Sequence, residues 1–268
     1  MGNKSLKNKN PGPNSNLEQL ESTIAVANPG PNSNLVQSES TIAVAKPEQG
    51  LEQNILPKLV LSKEKQYKII FLDIDGVLNN ANSVVNKLCV IEIVLKDLLI
   101  GLIQKHTTDN VQVVIVLSST WRYAENTRTE CNNYFGSDSV YIIGYTPNYG
   151  TIRPYEIVSW LETNTNFGAK KSYSLVFPDE EFTDKYVEHL PIELTKLPGG
   201  QILNVESVIL LDDLNYYNEI QTLVDPNKEN WKRFLDECYI QIDRVVGLTE
   251  MDIQKIEKLW LTVPKKTV

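Results

Sequence analysis

Histidine is scarce: only His106 and His189 occur among 268 residues. So small and scattered a supply excludes a histidine-based metal centre and argues against a Ser-His-Asp relay. Cysteine is nearly as rare. Cys89, Cys131 and Cys238 are odd in number, widely spaced and without a C-x-x-C pair. They indicate neither a disulfide framework nor a zinc site, and they fit a reducing compartment. An excess of positive charge is missing too, because 26 Lys and Arg stand against 34 Asp and Glu for a formal charge of −8. Such a balance lends no support to a phosphate-tracking nucleic-acid surface. No apolar run reaches the ~18 residues that a membrane span needs; the greasiest stretch, 88 to 103, is broken by Glu92, Lys96 and Asp97. With no signal-peptide core at the N-terminus, the expected location is cytoplasmic and no membrane partner is expected.

What is present divides the chain near residue 65. Residues 10–27 recur at 28–45 with 16 of 18 positions identical. The Asn-Pro-Gly-Pro-Asn-Ser-Asn half of each copy is turn-rich, and Ile-Ala-Val-Ala is too short to bury much surface. Residues 1–65 are therefore read as a disordered tail carrying a tandem repeat, and 66–268 as the folded domain.

In the folded part, Tyr67 to Leu72 reads as a short buried strand. From Leu88, apolar residues at 90, 91, 94, 95, 98, 99, 102 and 103 mark the stripe of an amphipathic helix. Val111 to Leu117 is the next strand, Val140 to Tyr145 a third, Val208 to Leu211 a fourth and Tyr239 to Ile242 a fifth. A helix starts at Pro154, and Thr249 with Asp252 forms a capping box that opens the last one. The alternation predicts an α/β, Rossmann-type three-layer fold with a mainly parallel sheet.

Polar residues fall at the carboxyl ends of these strands: Asp73 and Asp75 after the first, Ser118 after the second, Arg153 after the third, Asp212 and Asp213 at the fourth. In an open parallel sheet those ends converge on one crevice. Carboxylates crowded there repel one another unless a cation sits between them, and hard oxygen donors select Mg²⁺.

The motifs are specific enough to resemble a family. Phe71-Leu72-Asp73-Ile74-Asp75-Gly76-Val77-Leu78-Asn79 resembles the first motif of haloacid-dehalogenase (HAD) superfamily phosphatases. Val113 to Ser118 resembles the second, and Leu210 to Asp213 with Asn218 the fourth. Together with LSSTWR at 117–122, R-x-x-E-I-x-x-W-L at 153–161 and Gly247-Leu248-Thr249, the set is similar to HAD domains of Swiss Army Knife RNA-repair proteins. It reads in register over residues 68 to 260.

That resemblance implies an Mg²⁺-dependent phosphomonoesterase. Asp73 is the implied nucleophile, forming an aspartyl-phosphate, and Asp75 the acid and base. Ser118 is implied to bind a phosphoryl oxygen, with Mg²⁺ held by Asp73, Asp75 through its carbonyl, Asp212, and Asp213 directly or through water. Arg153 is the favoured cation for the phosphoryl group, with Lys185 and Lys196 as competitors. Trp121 is read as structural, and Arg122 is left open. Residues 163–206 form an insertion that starts on the face away from the carboxylates, and the chain from Gly76 to Leu88 is too short for a large cap. An open crevice suits a large phosphorylated substrate, protein or nucleic-acid end. The alternative is a catalytically silent HAD-like binding module.

Overall fold

A computed structural model describes residues 59–81, 83, 90–136, 138–149, 153–177, 190–221 and 228–262, all within the unit Gln53–Val268. The tandem repeats, Cys89, Lys185 and His189 lie outside the described residues. The first half runs β1 (Gln66–Leu72), α1 (Ile93–His106), β2 (Val111–Leu117), α2 (Glu125–Gly136), β3 (Ile142–Tyr145) and α3 (Arg153–Asn164). The second runs α4 (Ala169–Ser172), α5 (Ile192–Thr195), β4 (Asn204–Asp212), α6 (Tyr216–Gln221), α7 (Lys228–Cys238), β5 (Tyr239–Gln241) and α8 (Glu250–Thr262).

Alternate residues of each central strand face opposite layers. Ile70 and Leu72 of β1, Ile115 and Leu117 of β2, and Ile209 and Leu211 of β4 pack with Leu95, Leu99 and Ile103 of α1 and Ile256 and Trp260 of α8. Ile69 and Phe71, Val114 and Val116, and Val208 and Leu210 pack with Ile157 and Leu161 of α3, Ile220 of α6, and Trp231 and Phe234 of α7. Burial on both faces explains why these strands read as unbroken apolar runs instead of alternating ones.

Among the described residues the strands form one parallel sheet in the order β3-β2-β1-β4-β5. Leu72 is level with Leu117 on one side and Leu211 on the other, and Leu117 with Tyr145. The next residue of each strand, Asp73, Ser118, Asp212 and Thr146, therefore stands in one row at the carboxyl edge. The ladder holds that row in place: Asp73 N–H donates to Leu211 O, Ser118 N–H to Leu72 O and Thr146 N–H to Leu117 O, at 2.9, 2.9 and 3.1 Å.

The sequence expectation for α1 differs in its start. The helix begins at Ile93 and not near Leu88, with Glu92 N–H donating to Leu78 O at 2.8 Å. α8 opens on the expected box: Asp252 N–H donates to Thr249 Oγ1 at 3.3 Å, and Thr249 N–H to Asp252 Oδ2 at 3.1 Å. The described part of the insertion leaves from the amino edge, where Thr165 bridges Leu203. Asn164 fastens it by donating to Thr195 O and accepting from Leu197 N–H, at 2.9 and 2.8 Å. Through α5 it then packs beside β3, which is an edge strand among the described residues. No helix among the described residues is long and apolar enough to cross a membrane.

Candidate active site

Oxygen atoms of Asp73, Asp212 and Asp213 all lie within 4.8 Å of one another. Arg153, in the first turn of α3, reaches between two of them: its Nη1 is 2.7 Å from Asp212 Oδ2 and 3.2 Å from Asp73 Oδ1. Asp212 is further fixed by Tyr216, whose hydroxyl donates to Oδ2 at 2.5 Å, and by the Leu214 N–H, which donates to Oδ1 at 2.9 Å. Burial first, then the charge of Asp212, pushes Asp73 up to about 7, although Arg153 and a hydrogen bond from Ser119 pull the other way. Asp213 is also raised, by burial and by Asp212, against the opposing charge of Arg244. Burial would weaken Arg153 as a base, but Asp212 and Asp73 hold it above its ordinary value, so it stays a cation.

The Asp75 carboxylate stands outside that group. Trp121 Nε1 lies 3.2 Å from both of its oxygens, and Asn79 Nδ2 donates to Oδ1 at 3.0 Å. Asn79 is fixed in turn because its Oδ1 accepts the Gly76 N–H at 2.8 Å. Gly76 has φ +80°, and a Cβ there would stand 2.5 Å from Asp213 Oδ2. The turn that follows Asp75 therefore depends on glycine.

Ser118 is fully buried in the same row, and its Oγ has no hydrogen-bond partner. The loop that carries it is braced by Arg122, which is itself buried. Arg122 Nε donates to Thr146 O (3.1 Å), Nη1 to Ser118 O and Ser119 O (2.9 and 2.8 Å), and Nη2 to Pro147 O and Glu156 Oε2 (3.4 and 2.7 Å). Five N–H groups meet five acceptors. Burial drives both Arg122 and Glu156 toward neutrality, and their 2.7 Å contact opposes it in each.

Asp73, Ser118, Arg153 and Asp212 thus meet in the crevice, with Asp213 on its rim. Of the competing cations, Lys185 lies outside the described residues. Lys196 is exposed and lines a cavity of about 190 Å³ with Ser159, Trp160 and Thr163, along the later turns of α3 rather than its first. Asn218 of the fourth motif is exposed on α6, and Tyr216 is the residue of that segment that reaches Asp212. Sequence reasoning missed Tyr216, Asn79 and Arg244, whose Nε is 3.5 Å from Asp213 Oδ2. It also took Trp121 for a purely structural residue, whereas its indole N–H is spent on Asp75. The LSSTWR segment was the available signal.

The donor set suits a divalent cation. Three carboxylates offer hard oxygen ligands, and Asp73 and Asp213 are raised first by burial and then by the charge of Asp212, both of which a bound cation would offset.

Residues 69–190 match the family described as the HAD domain in Swiss Army Knife RNA repair proteins. The chain carries a HAD-like domain. The match runs from β1 into the insertion and stops before β4, so Asp212 and Asp213 lie beyond it and join the HAD-like site through the pairing of β4 with β1. It is narrower than the 68 to 260 stretch over which the motifs read in register. No curated protein and no solved structure gives a significant match.

Proposed function

We propose that the HAD-like domain hydrolyses phosphate monoesters through an aspartyl-phosphate on Asp73. The observation that carries this reading is the Arg153 guanidinium reaching between Asp73 and Asp212, with Asp73 in one row with the unpartnered hydroxyl of Ser118. Mg²⁺ would be held by Asp73, Asp212, Asp213 and the Asp75 carbonyl. Bound there, it supplies charge neutralisation for the phosphoryl group and keeps Asp73 ionised.

A carboxylate oxygen of Asp73 attacks phosphorus as the bond to the leaving oxygen breaks. The bonding electron pair departs on that oxygen, which takes a proton from Asp75. Asp75 then removes a proton from water, whose oxygen attacks the same phosphorus and expels Asp73 as a carboxylate with inorganic phosphate. Ser118 donates its hydroxyl to a non-bridging oxygen, which gives that buried group its partner. Arg153 offers fixed, permanently charged donors to the phosphoryl oxygens.

A crevice without a large cap, as the short chain from Gly76 to Leu88 implies, would suit a large phosphorylated substrate. The description of the matching family makes a phosphorylated nucleic-acid end one candidate class, and the net charge of −8 gives it no electrostatic help. A second reading, a silent binding module, draws on Arg153 alone: a guanidinium paired with both Asp73 and Asp212 already balances charge without a metal. One experiment separates the two. Purified protein with Mg²⁺ should release phosphate from p-nitrophenyl phosphate, and Asp73→Asn should lose about a thousandfold or more of that rate. Equal turnover by wild type and variant would refute the hydrolase, and no turnover of any ester by wild type would favour the silent module. Sugar phosphates, nucleotides, phosphopeptides and phosphorylated oligonucleotides then identify the substrate class.

A further inference from the structure

The chain has four tryptophans, and three of them, Trp160, Trp231 and Trp260, bury Nε1 without a hydrogen-bond partner. Trp121 is the exception. It is 7 % exposed, and its N–H spans the two oxygens of Asp75 at 3.2 Å each. This fold tolerates unsatisfied indoles elsewhere in its core, so the Trp121 contact is not explained by a general need to satisfy buried N–H groups.

The carboxylate is held unequally. Oδ1 takes Asn79 Nδ2 at 3.0 Å as well as the indole, whereas Oδ2 shares only the indole. The orientation of the Asn79 amide is settled, because its oxygen accepts the Gly76 N–H and its nitrogen must therefore face Asp75. An indole N–H and an amide NH₂ are donors only, so a proton on Oδ1 would face two donors and one on Oδ2 only a shared one. The Trp121 main chain is fixed as well, with its N–H donating to Ser119 Oγ and its carbonyl accepting from Thr127.

We infer that Trp121 and Asn79 are positioning residues that clamp Oδ1 of Asp75 and reserve Oδ2 as the oxygen that carries the proton to the leaving group. This rests on the reading of Asp75 as the general acid. As the P–O bond breaks, its electron pair stays on the leaving oxygen, the Oδ2 proton moves to that oxygen, and Asp75 is left as a carboxylate facing the two donors.

The test is leaving-group dependence in the full chain with Mg²⁺. Because kcat/KM reports steps up to formation of the aspartyl-phosphate, it is compared for an alkyl phosphate and for 2,4-dinitrophenyl phosphate, whose leaving oxygen needs no proton. Trp121→Phe should lower kcat/KM about tenfold or more for the alkyl ester and less than about threefold for the dinitrophenyl ester. Asn79→Ala should discriminate in the same sense, and it decides the matter should Trp121→Phe fail to fold. Equal losses on both esters, or none on either, while Asp75→Asn discriminates strongly, would overturn the inference and leave the hydrolase standing. An Asp75→Asn variant that does not discriminate would instead overturn the acid role itself.

Discussion

Gly76 occupies the turn position where a side chain has no room. Its φ of +80° costs an ordinary residue about 1 to 3 kcal/mol, and a methyl group there would meet the Asp213 carboxylate at 2.5 Å. Gly76→Ala should therefore lower the thermal midpoint and also weaken the Mg²⁺-induced rise in that midpoint, since the carboxylate pushed aside is one of the three in the cluster. A variant with a lowered midpoint but an unchanged Mg²⁺ response would show that Asp213 has no part in the ion site. At this scale the residues legible in sequence were those that end strands. Asp73, Ser118 and Asp212 are level because strand register makes them so, and register follows from the apolar runs. Tyr216, Asn79 and Trp121 were not legible as site residues, because side chains on a helix or turn reach the crevice by rotamer and loop path, which spacing does not encode.

Arg122 joins elements and not merely residues. Its five hydrogen bonds tie the loop after β2 to the loop after β3 and, through Glu156, to the helix that carries Arg153. Glu156 extends the tie by accepting the Tyr149 N–H at 3.1 Å. Arg122→Met would leave Glu156 as a buried charge and four carbonyls short of a donor, a change expected to cost about 3 to 5 kcal/mol. Chemical denaturation of wild type and variant measures it, and a cost below about 1 kcal/mol would mean that water replaces the guanidinium. The double variant Arg122→Met with Glu156→Gln should recover part of the loss, because it removes the stranded charge. Elements with strong patterns were legible: both faces of the central strands are apolar, and the Thr249 box marks the start of α8. α2 was not, because Glu125–Gly136 buries only Cys131 and Phe135 and has no continuous stripe. Nor was the path of the insertion along β3, which depends on Asn164 bonding to backbone 31 and 33 residues away.

At the scale of the whole molecule, Asp73 of the acidic cluster contributes to how stability responds to pH. Asp73 rises from an ordinary 3.8 to about 7, mainly through burial and then through Asp212. Between those two values the folded protein binds more protons at this site than the unfolded chain does. Stability from this group therefore falls as pH rises through that window, and the full penalty is present above it. Mg²⁺ binding there would need the ionised carboxylate, so proton and ion would compete for the site. An ion held by Asp73 and Asp212 would join β1 to β4, strands whose site residues are 139 positions apart in sequence, so its binding free energy would add to the stability of the whole sheet. Thermal midpoints recorded with and without Mg²⁺ should then show a small increment near about pH 5.5, a growing one through neutrality and a plateau above about pH 8. In Asp73→Asn, which retains the burial but has no ionising group at this position, the increment should be smaller and nearly flat across the same range. An increment in wild type that is constant with pH, or largest at the acid end, would separate Asp73 from the ion site and with it the link between the carboxylate row and the metal.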